Sequence, residues 1–267
     1  MIPLHRAFAR ALLFPRFFQP PIVQAALLHD HLLTGNESKW GWVVYRTAYA
    51  NPPSADPFTP GITSYQTWAL LQAHVTARAR SALAREEEDD PAAARHLRNA
   101  MDWVFVEDRA ALEGASREEL RGRFRARREG AMREEIGEAP AEVGGDGGVP
   151  WKIPSAWYQF FLVVDEEAMA SIAEGEGGPL DGNWVNLVRC DEEMEEAEEW
   201  ERERSLGRGL MEKGWAEDGE GGEEGKEDEW RMRLAVHLVT HEFYYKIGGI
   251  LENWYVYYQE PPEVLWY

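Results

Sequence analysis

Trp40-Gly41-Trp42-Val43-Val44-Tyr45-Arg46-Thr47-Ala48-Tyr49 is the stretch that decides the fold. It is dense in aromatic and β-branched residues, and the prolines of Asn51-Pro52-Pro53 follow it closely. Such a composition is typical of a strand that is too apolar to be exposed to solvent on both faces. The stretch therefore predicts a central strand of a sheet.

Three further apolar runs predict strands, at Trp103–Val106, Trp157–Val164 and Trp184–Val188. Helical patterns separate these runs, so the order is strand, helix, strand, helical insert, strand, helix, strand. That order predicts an α+β protein with a ferredoxin-like βαββαβ core and an antiparallel sheet. Its spatial strand order, 4-1-3-2, places the first and third strands in the centre, and these are the most apolar ones here. A doubly wound α/β sheet is the alternative.

Polar residues that can cap helices mark where the helices begin. Ser64 stands before a helix with a buried apolar stripe, and the acidic run Glu86–Asp90 ends that helix. Ser116 and Glu119 have the spacing of a capping box. Asp165 directly follows the third strand and is the expected cap of the next helix.

Composition divides the chain into four parts. Residues 1–36 form an amphipathic, arginine-containing arm, for which a mitochondrial presequence is an alternative to a packed helix. Residues 37–206 form the α+β core domain, and residues 207–229 form an acidic linker of low complexity that we expect to be disordered. Residues 230–267 are predicted to form a helix from Trp230 to Ile247 and an aromatic strand, Trp254–Gln259, both packed on the core.

The acidity of the chain is concentrated in one segment. The net charge is −20, and the stretch from Asp191 to Glu229 has 18 acidic and 5 basic residues, a local net charge of −13. This charge argues against nucleic acid and against an anionic membrane surface as partners. No apolar run approaches the length of a membrane span. The single cysteine, Cys190, favours a reducing compartment, so we expect an intracellular protein, cytoplasmic or nuclear.

Four blocks of sequence stand out between residues 40 and 190. They are Trp40-Gly-Trp-Val-Val-Tyr-Arg-Thr-x-Tyr49, Val106-Glu-Asp-Arg109 with Leu112 and Gly114-Ala-Ser116, Phe161-Leu-Val-Val-Asp-Glu-Glu167, and Trp184-Val-Asn-Leu187. Together these blocks resemble a family of uncharacterised proteins from filamentous fungi. The resemblance covers roughly residues 40–190 and implies no activity.

Acidic triplets directly follow the third and fourth predicted strands. They are Asp165-Glu166-Glu167 and Asp191-Glu192-Glu193. In the order 4-1-3-2 both triplets reach one edge of the sheet, where Asp165, Glu167 and Asp191 could hold a hard cation. The simpler interpretation is that each Asp caps a helix and each Glu complements the helix dipole.

Two histidines, His237 and His241, have the i, i+4 spacing that places both imidazoles on one helical face. A zincin motif requires Glu directly after the first His, and Leu238 stands there instead. A metal-binding pair with a distant carboxylate remains a hypothesis, beside the alternative of packed or solvated histidines.

Arg46, Asp108 and Arg109 follow the first and second strands and form a candidate ligand-binding group. Two guanidinium groups could clamp a carboxylate or phosphate, and a surface salt bridge is the alternative. No phosphate loop or nucleophile elbow is present in the sequence.

These patterns favour a non-catalytic binding or protein-interaction module. The alternative is a small-molecule enzyme with a carboxylate- or metal-based site at one edge of the sheet. We expect no cofactor. The partner could be a protein or a small molecule, and a homodimer is possible.

Overall fold

The computed structural model describes seven parts of the chain. They are residues 22–35, 37–51, 62–136, 155–174, 182–190, 231–248 and 252–266. Most of the predicted N-terminal arm, the whole acidic linker and Asp191 lie outside these residues.

One six-stranded mixed sheet organises the fold, in the order β2-β1-β3-β4-β5-β6. Strand β1 is parallel to both β2 and β3, β4 is antiparallel to β3 and β5, and β6 is parallel to β5. The strands are β1 Val43–Arg46, β2 Val104–Val106, β3 Phe160–Val164, β4 Trp184–Arg189, β5 Arg231–Ala235 and β6 Val264–Leu265.

The prediction that the first and third strands are inner, neighbouring strands is confirmed, and every residue of β1, β3 and β4 is buried. The ferredoxin-like core is not confirmed, since β2 lies beside β1 and β4 lies beside β3, the reverse of the order 4-1-3-2. Three of the five strand pairs are parallel, whereas an antiparallel sheet was predicted. The protein is a mixed α/β protein.

Helices connect and flank the strands. Helix α1 packs on α3 and α8, and α2 packs on α3 and α7. The helices are α1 Ile22–Gly35, α2 Ser64–Glu86, α3 Pro91–Ala100, α4 Arg109–Leu112, α5 Arg117–Ile136, α6 Ala156–Gln159, α7 Glu166–Glu174, α8 His241–Gly248 and α9 Glu252–Tyr257. None of the helices in these described ranges is long and apolar enough to cross a membrane.

The helix caps are at the predicted residues, except that the cap of α2 lies one residue earlier. The capping box of Ser116 and Glu119 is present, and Asp165 accepts a hydrogen bond from the backbone N–H of Ala168 at 2.9 Å. Helix α2 is capped by Thr63 rather than by Ser64. Thr63 forms a reciprocal capping box with Gln66, which the sequence also allows.

The approach of the chain to β1 requires glycine at position 41. Trp40 and Trp42 accept hydrogen bonds from the backbone N–H groups of Asp102 and Val104, at 2.8 and 3.0 Å. Gly41 lies between them with a φ of +145°, and a Cβ atom at this position would lie 2.2 Å from the carbonyl oxygen of Asp102. The backbone before β1 can therefore pack against the backbone before β2 only without a side chain here.

The C-terminal part differs from its predicted secondary structure. The segment after Trp230 begins as β5 and reaches an α-helix only at His241, and the predicted strand from Trp254 is helix α9. Arg231 and Arg233 alternate with the buried residues Met232 and Leu234, which is the period of a strand. Trp254 is buried and stacks on Phe160 with ring centroids 5.6 Å apart.

Candidate functional site

A polar crevice opens between the carboxyl ends of β1 and β3 and the arginine side chains of β5. Its volume is about 680 Å³, within the range of small-molecule pockets. From β1 the chain crosses to β2 on one side and later returns to β3 on the other. In open α/β sheets, ligands bind outside the carboxyl ends of strands at such a divergence. The lining residues are Thr47, Tyr49, Glu113, Gly114, Ala115, Arg117, Asp165, Glu166, Glu167, Arg231, Arg233, Pro261 and Pro262.

The two sides of the crevice are held by backbone hydrogen bonds. The N–H group of Thr47 donates to the carbonyl of Val164 at 3.0 Å, which ties the end of β1 to the end of β3. The carbonyl of Thr47 accepts a hydrogen bond from the N–H of Gly114 at 3.2 Å. Gly114 has a φ of +69°, and this turn brings the beginning of α5 to the rim.

A line of polar side chains crosses the floor from β3 to β5. The second carboxylate oxygen of Asp165 accepts a hydrogen bond from the Asn186 amide at 2.8 Å. The Asn186 side-chain oxygen in turn accepts one from Arg231 at 3.5 Å. Because Asp165 also caps α7, each of its oxygens already has a donor within the protein. Asp165 is thus a structural residue of the floor.

Arg233 forms the wall on the side of β5. Its guanidinium pairs with Glu167, donates to the carbonyl of Pro262 at 3.2 Å and lies 4.1 Å from the centroid of the Trp184 ring. This contact holds the Pro261–Pro262 segment, which precedes β6, against the sheet. The predicted metal ligand Glu167 is therefore part of an ion pair at the rim.

Glu166 differs from the other lining carboxylates because it has no partner within the described residues. Glu113 pairs with Arg109, and this hydrogen bond lowers the pKa of the Glu113 carboxyl. Asp165 and Glu167 are held as described above. Glu166 is exposed in the first turn of α7 and makes no hydrogen bond or ion pair within the described residues. Of the lining carboxylates, it is the one without a partner among the described residues, and hence the candidate for contact with a ligand.

The predicted group of Arg46, Asp108 and Arg109 lies beside the crevice and is used by the protein itself. Arg46 is buried, where it donates to the carbonyl of Ala48 at 3.0 Å and to the hydroxyl of Ser64 at 3.1 Å, and it pairs with Glu107. Asp108 caps α4.

Both arginines of this group face one aromatic ring. Their guanidinium carbons lie 4.6 Å (Arg46) and 5.9 Å (Arg109) from the centroid of the Tyr49 ring. Burial raises the pKa of the Tyr49 hydroxyl, and the Arg46 charge opposes this rise. The structure thus brings the arginines together around Tyr49, a side chain that lines the crevice.

A second, smaller cavity of about 170 Å³ lies next to Asp108. It is lined by Tyr45, Val106, Asp108, Ala111, Leu112, Arg123 and Arg127. Burial raises the pKa of the Tyr45 hydroxyl to about 12, although Arg127 and Arg123 lower it in part. Tyr45 therefore stays neutral at physiological pH.

The shared edge that was predicted for the two acidic triplets is wrong. Strand β4 runs antiparallel to β3, with Phe160 opposite Arg189 and Val163 opposite Asn186. The end of β4 therefore lies at the opposite edge of the sheet from Asp165. Asp191 itself lies outside the described residues.

The two histidines do not form one face. His237 is in a 3-10 turn, Val236–Leu238, and stacks on Trp266 with ring centroids 5.7 Å apart. His241 is fully buried at the start of α8, and its Nε2 atom lies 2.7 Å from a carboxylate oxygen of Glu86. No continuous helix joins these two positions, so the predicted shared helical face is wrong.

Glu86 is a buried residue that the sequence reasoning missed. Its second oxygen accepts a hydrogen bond from the backbone N–H of Ala25 at 2.9 Å, so this carboxylate joins α1, α2 and α8. The run of acids after it suggested an exposed helix end. However, Glu86 continues the buried stripe of α2 at helical spacing, after Val75, Ala79, Ala82 and Leu83. That periodicity is the signal that could have identified it.

Comparisons with protein-family models, with curated proteins and with solved structures find no match. The resemblance to the fungal family stays a prediction, and the site is interpreted from its geometry alone.

Proposed function

We propose that the protein is a non-catalytic binding protein that holds a small polar molecule in the crevice between β1, β3 and β5. The observation that supports this most is the position of the crevice at the carboxyl ends of β1 and β3, with charged groups of both signs around it. Helices α5 and α7 begin at its rim with Arg117 and Glu166.

The lining indicates which groups the ligand carries. Glu166 offers an exposed carboxylate, which binds a hydrogen-bond donor and most strongly a positively charged one. Arg117 and Arg231 on the other sides of the crevice provide donors for hydroxyl, carbonyl or carboxylate oxygens. We therefore favour a small molecule that bears an amine together with oxygen acceptors.

Binding is favoured over catalysis by how the lining carboxylates are used. A general base must be free to take a proton from the substrate. Asp165 and Glu167, the residues expected for a carboxylate-based enzyme site, are both occupied by protein partners. Their role here is to fix the walls of the crevice. Glu166 is then a single exposed carboxylate, without the second free carboxylate among the described lining residues that a paired general acid and base would need.

Native mass spectrometry of the purified full-length chain tests the proposal. We expect a fraction of the protein to carry one small molecule, which denaturation releases for identification. The same preparation of Glu166→Gln should carry less of it. Glu174→Gln is the matched control, because Glu174 is exposed at the other end of α7, away from the crevice. Equal occupancy in the two variants would place the molecule elsewhere.

A further inference from the structure

A second cluster, distinct from the crevice, lies where α1, α2 and α8 meet. It consists of Glu86, His241 and Glu242, each of which offers one ligand atom, and these three atoms all lie within 4.8 Å of one another. Glu86 and His241 are buried and Glu242 is half-buried. The cluster therefore combines one imidazole with two carboxylates in a largely dehydrated place that remains open at Glu242.

The carboxylates of this cluster have no lysine or arginine partner among the residues that the structure describes. Within the described ranges, Glu242 makes no hydrogen bond or ion pair. The cluster holds two carboxylates and one imidazole, so its acidic groups outnumber its basic one. Buried charge is costly unless it is paired, and adjacent carboxylates repel each other.

One ring nitrogen of the His241 imidazole is also unsatisfied within the described part of the chain. The Nδ1 atom of His241 is buried and, among the described residues, has no hydrogen-bond partner. The Nε2 atom is the one that contacts Glu86. A buried ring nitrogen without a partner loses the hydrogen bond that it would make in water. The site thus contains an unused donor or acceptor as well as excess negative charge.

We propose that Glu86, His241 and Glu242 bind a divalent cation, with Zn²⁺ as the best match. One imidazole nitrogen and two carboxylate oxygens are ligands that Zn²⁺ accepts at about 2.0–2.2 Å. Two positive charges balance both carboxylates while His241 stays neutral. Ligand atoms around such an ion are roughly 3.3 Å apart for tetrahedral bonds of that length. Binding therefore requires the 2.7 Å contact between His241 Nε2 and Glu86 to widen by a few tenths of an ångström and the half-buried Glu242 carboxylate to move inward. A fourth position is left for water.

The site would also join three helices. Glu86 ends α2, His241 and Glu242 begin α8, and Glu86 holds the backbone of α1 at Ala25. A cation bound only by the folded chain stabilises it by mass action. We therefore expect the melting temperature of the protein to rise when Zn²⁺ is added after treatment with EDTA.

The test is a titration of the EDTA-treated full-length chain with Zn²⁺, followed by metal analysis and calorimetry. Wild-type protein should bind one Zn²⁺ per chain more tightly than any further ions. Glu242→Gln should weaken this site at least about tenfold, since loss of even an outer-shell partner costs about 10–100-fold in affinity. The matched control is Glu263→Gln, because Glu263 is exposed and is not part of the cluster.

Two results would overturn the proposal. The first is that wild-type protein has no tight Zn²⁺ site. The second is that Glu242→Gln and wild type bind Zn²⁺ with equal affinity, which would place the metal on other residues such as the acidic segment. X-ray absorption of the Zn²⁺-loaded wild-type protein decides the question if Glu242→Gln does not fold. One imidazole nitrogen with oxygen ligands supports the site, whereas two or more imidazoles or a sulfur ligand contradict it.

Discussion

Gly41→Ala is the substitution that most sharply tests the geometry around β1. The new Cβ atom would lie 2.2 Å from the carbonyl oxygen of Asp102 and 2.8 Å from its carbonyl carbon, and both are backbone atoms that cannot rotate away. The φ of +145° is also one that L side chains rarely adopt. Backbone strain costs about 1–3 kcal/mol, and forced overpacking costs about 1–3 kcal/mol more. We therefore expect a loss of about 2–6 kcal/mol in the free energy of unfolding.

Gly122→Ala is the matched control, because Gly122 lies inside α5 with no atom within 4 Å of the added Cβ. Alanine stabilises an exposed helix interior by about 0.5–1 kcal/mol relative to glycine. The two substitutions are chemically identical and should therefore change stability in opposite directions. Urea denaturation followed by tryptophan fluorescence measures both. A Gly41→Ala variant as stable as wild type would refute the close approach of the segments before β1 and β2.

Further predictions concern the burial of Trp254, the helix cap at Asp165 and the pKa of Tyr45. Trp254→Ala should lower the free energy of unfolding by about 3–5 kcal/mol, because Trp254 is buried against Phe160. Its neighbour Tyr255 is exposed, so Tyr255→Ala should change that free energy by less than about 0.5 kcal/mol. Urea denaturation measures both. Asp165→Ala should cost at least about 1 kcal/mol because it removes the cap of α7. Asp165→Asn keeps the cap but turns an NH2 group toward the Asn186 amide, which donates to the second carboxylate oxygen in wild type, so it should cost about 1–3 kcal/mol; an Asn variant as stable as wild type would contradict that hydrogen bond. Burial raises the pKa of the Tyr45 hydroxyl above its value in the unfolded chain. The unfolded state therefore ionises first as the pH rises, and the free energy of unfolding should fall between about pH 10 and 12. In Tyr45→Phe this fall should be shallower.

The inner strands could be predicted from the sequence because burial on both faces leaves a continuous apolar run. Trp40–Tyr49 and Phe160–Val164 show this directly. Strand β5 was missed because its apolar alternation is short. Arg231 and Arg233 alternate with the buried Met232 and Leu234, and this pattern was interpreted as helix. The aromatic residues of α9 suggested a strand through their composition rather than their period.

The order of the strands could not be predicted, since pairing depends on contacts between distant residues. The apolar runs of β2 and β4 are compatible with either neighbour, and only the packing of the connecting helices selects one. The partners of the site residues could not be predicted for the same reason. Asp165 and Glu167 were expected at a sheet edge and do line the crevice, but their partners Asn186 and Arg233 lie on strands whose positions the sequence did not show.

The central claim is that the crevice at the ends of β1 and β3 binds a small polar molecule through Glu166. The most direct measurement is isothermal titration calorimetry of wild type, Glu166→Gln and Glu174→Gln. The ligand is the amine-bearing compound that most raises the melting temperature of wild type in a panel of amino acids, amines and carboxylic acids. The account predicts a single site in wild type and in Glu174→Gln, with an affinity about tenfold lower in Glu166→Gln through loss of a charge-assisted hydrogen bond. Equal affinities in all three proteins would contradict it.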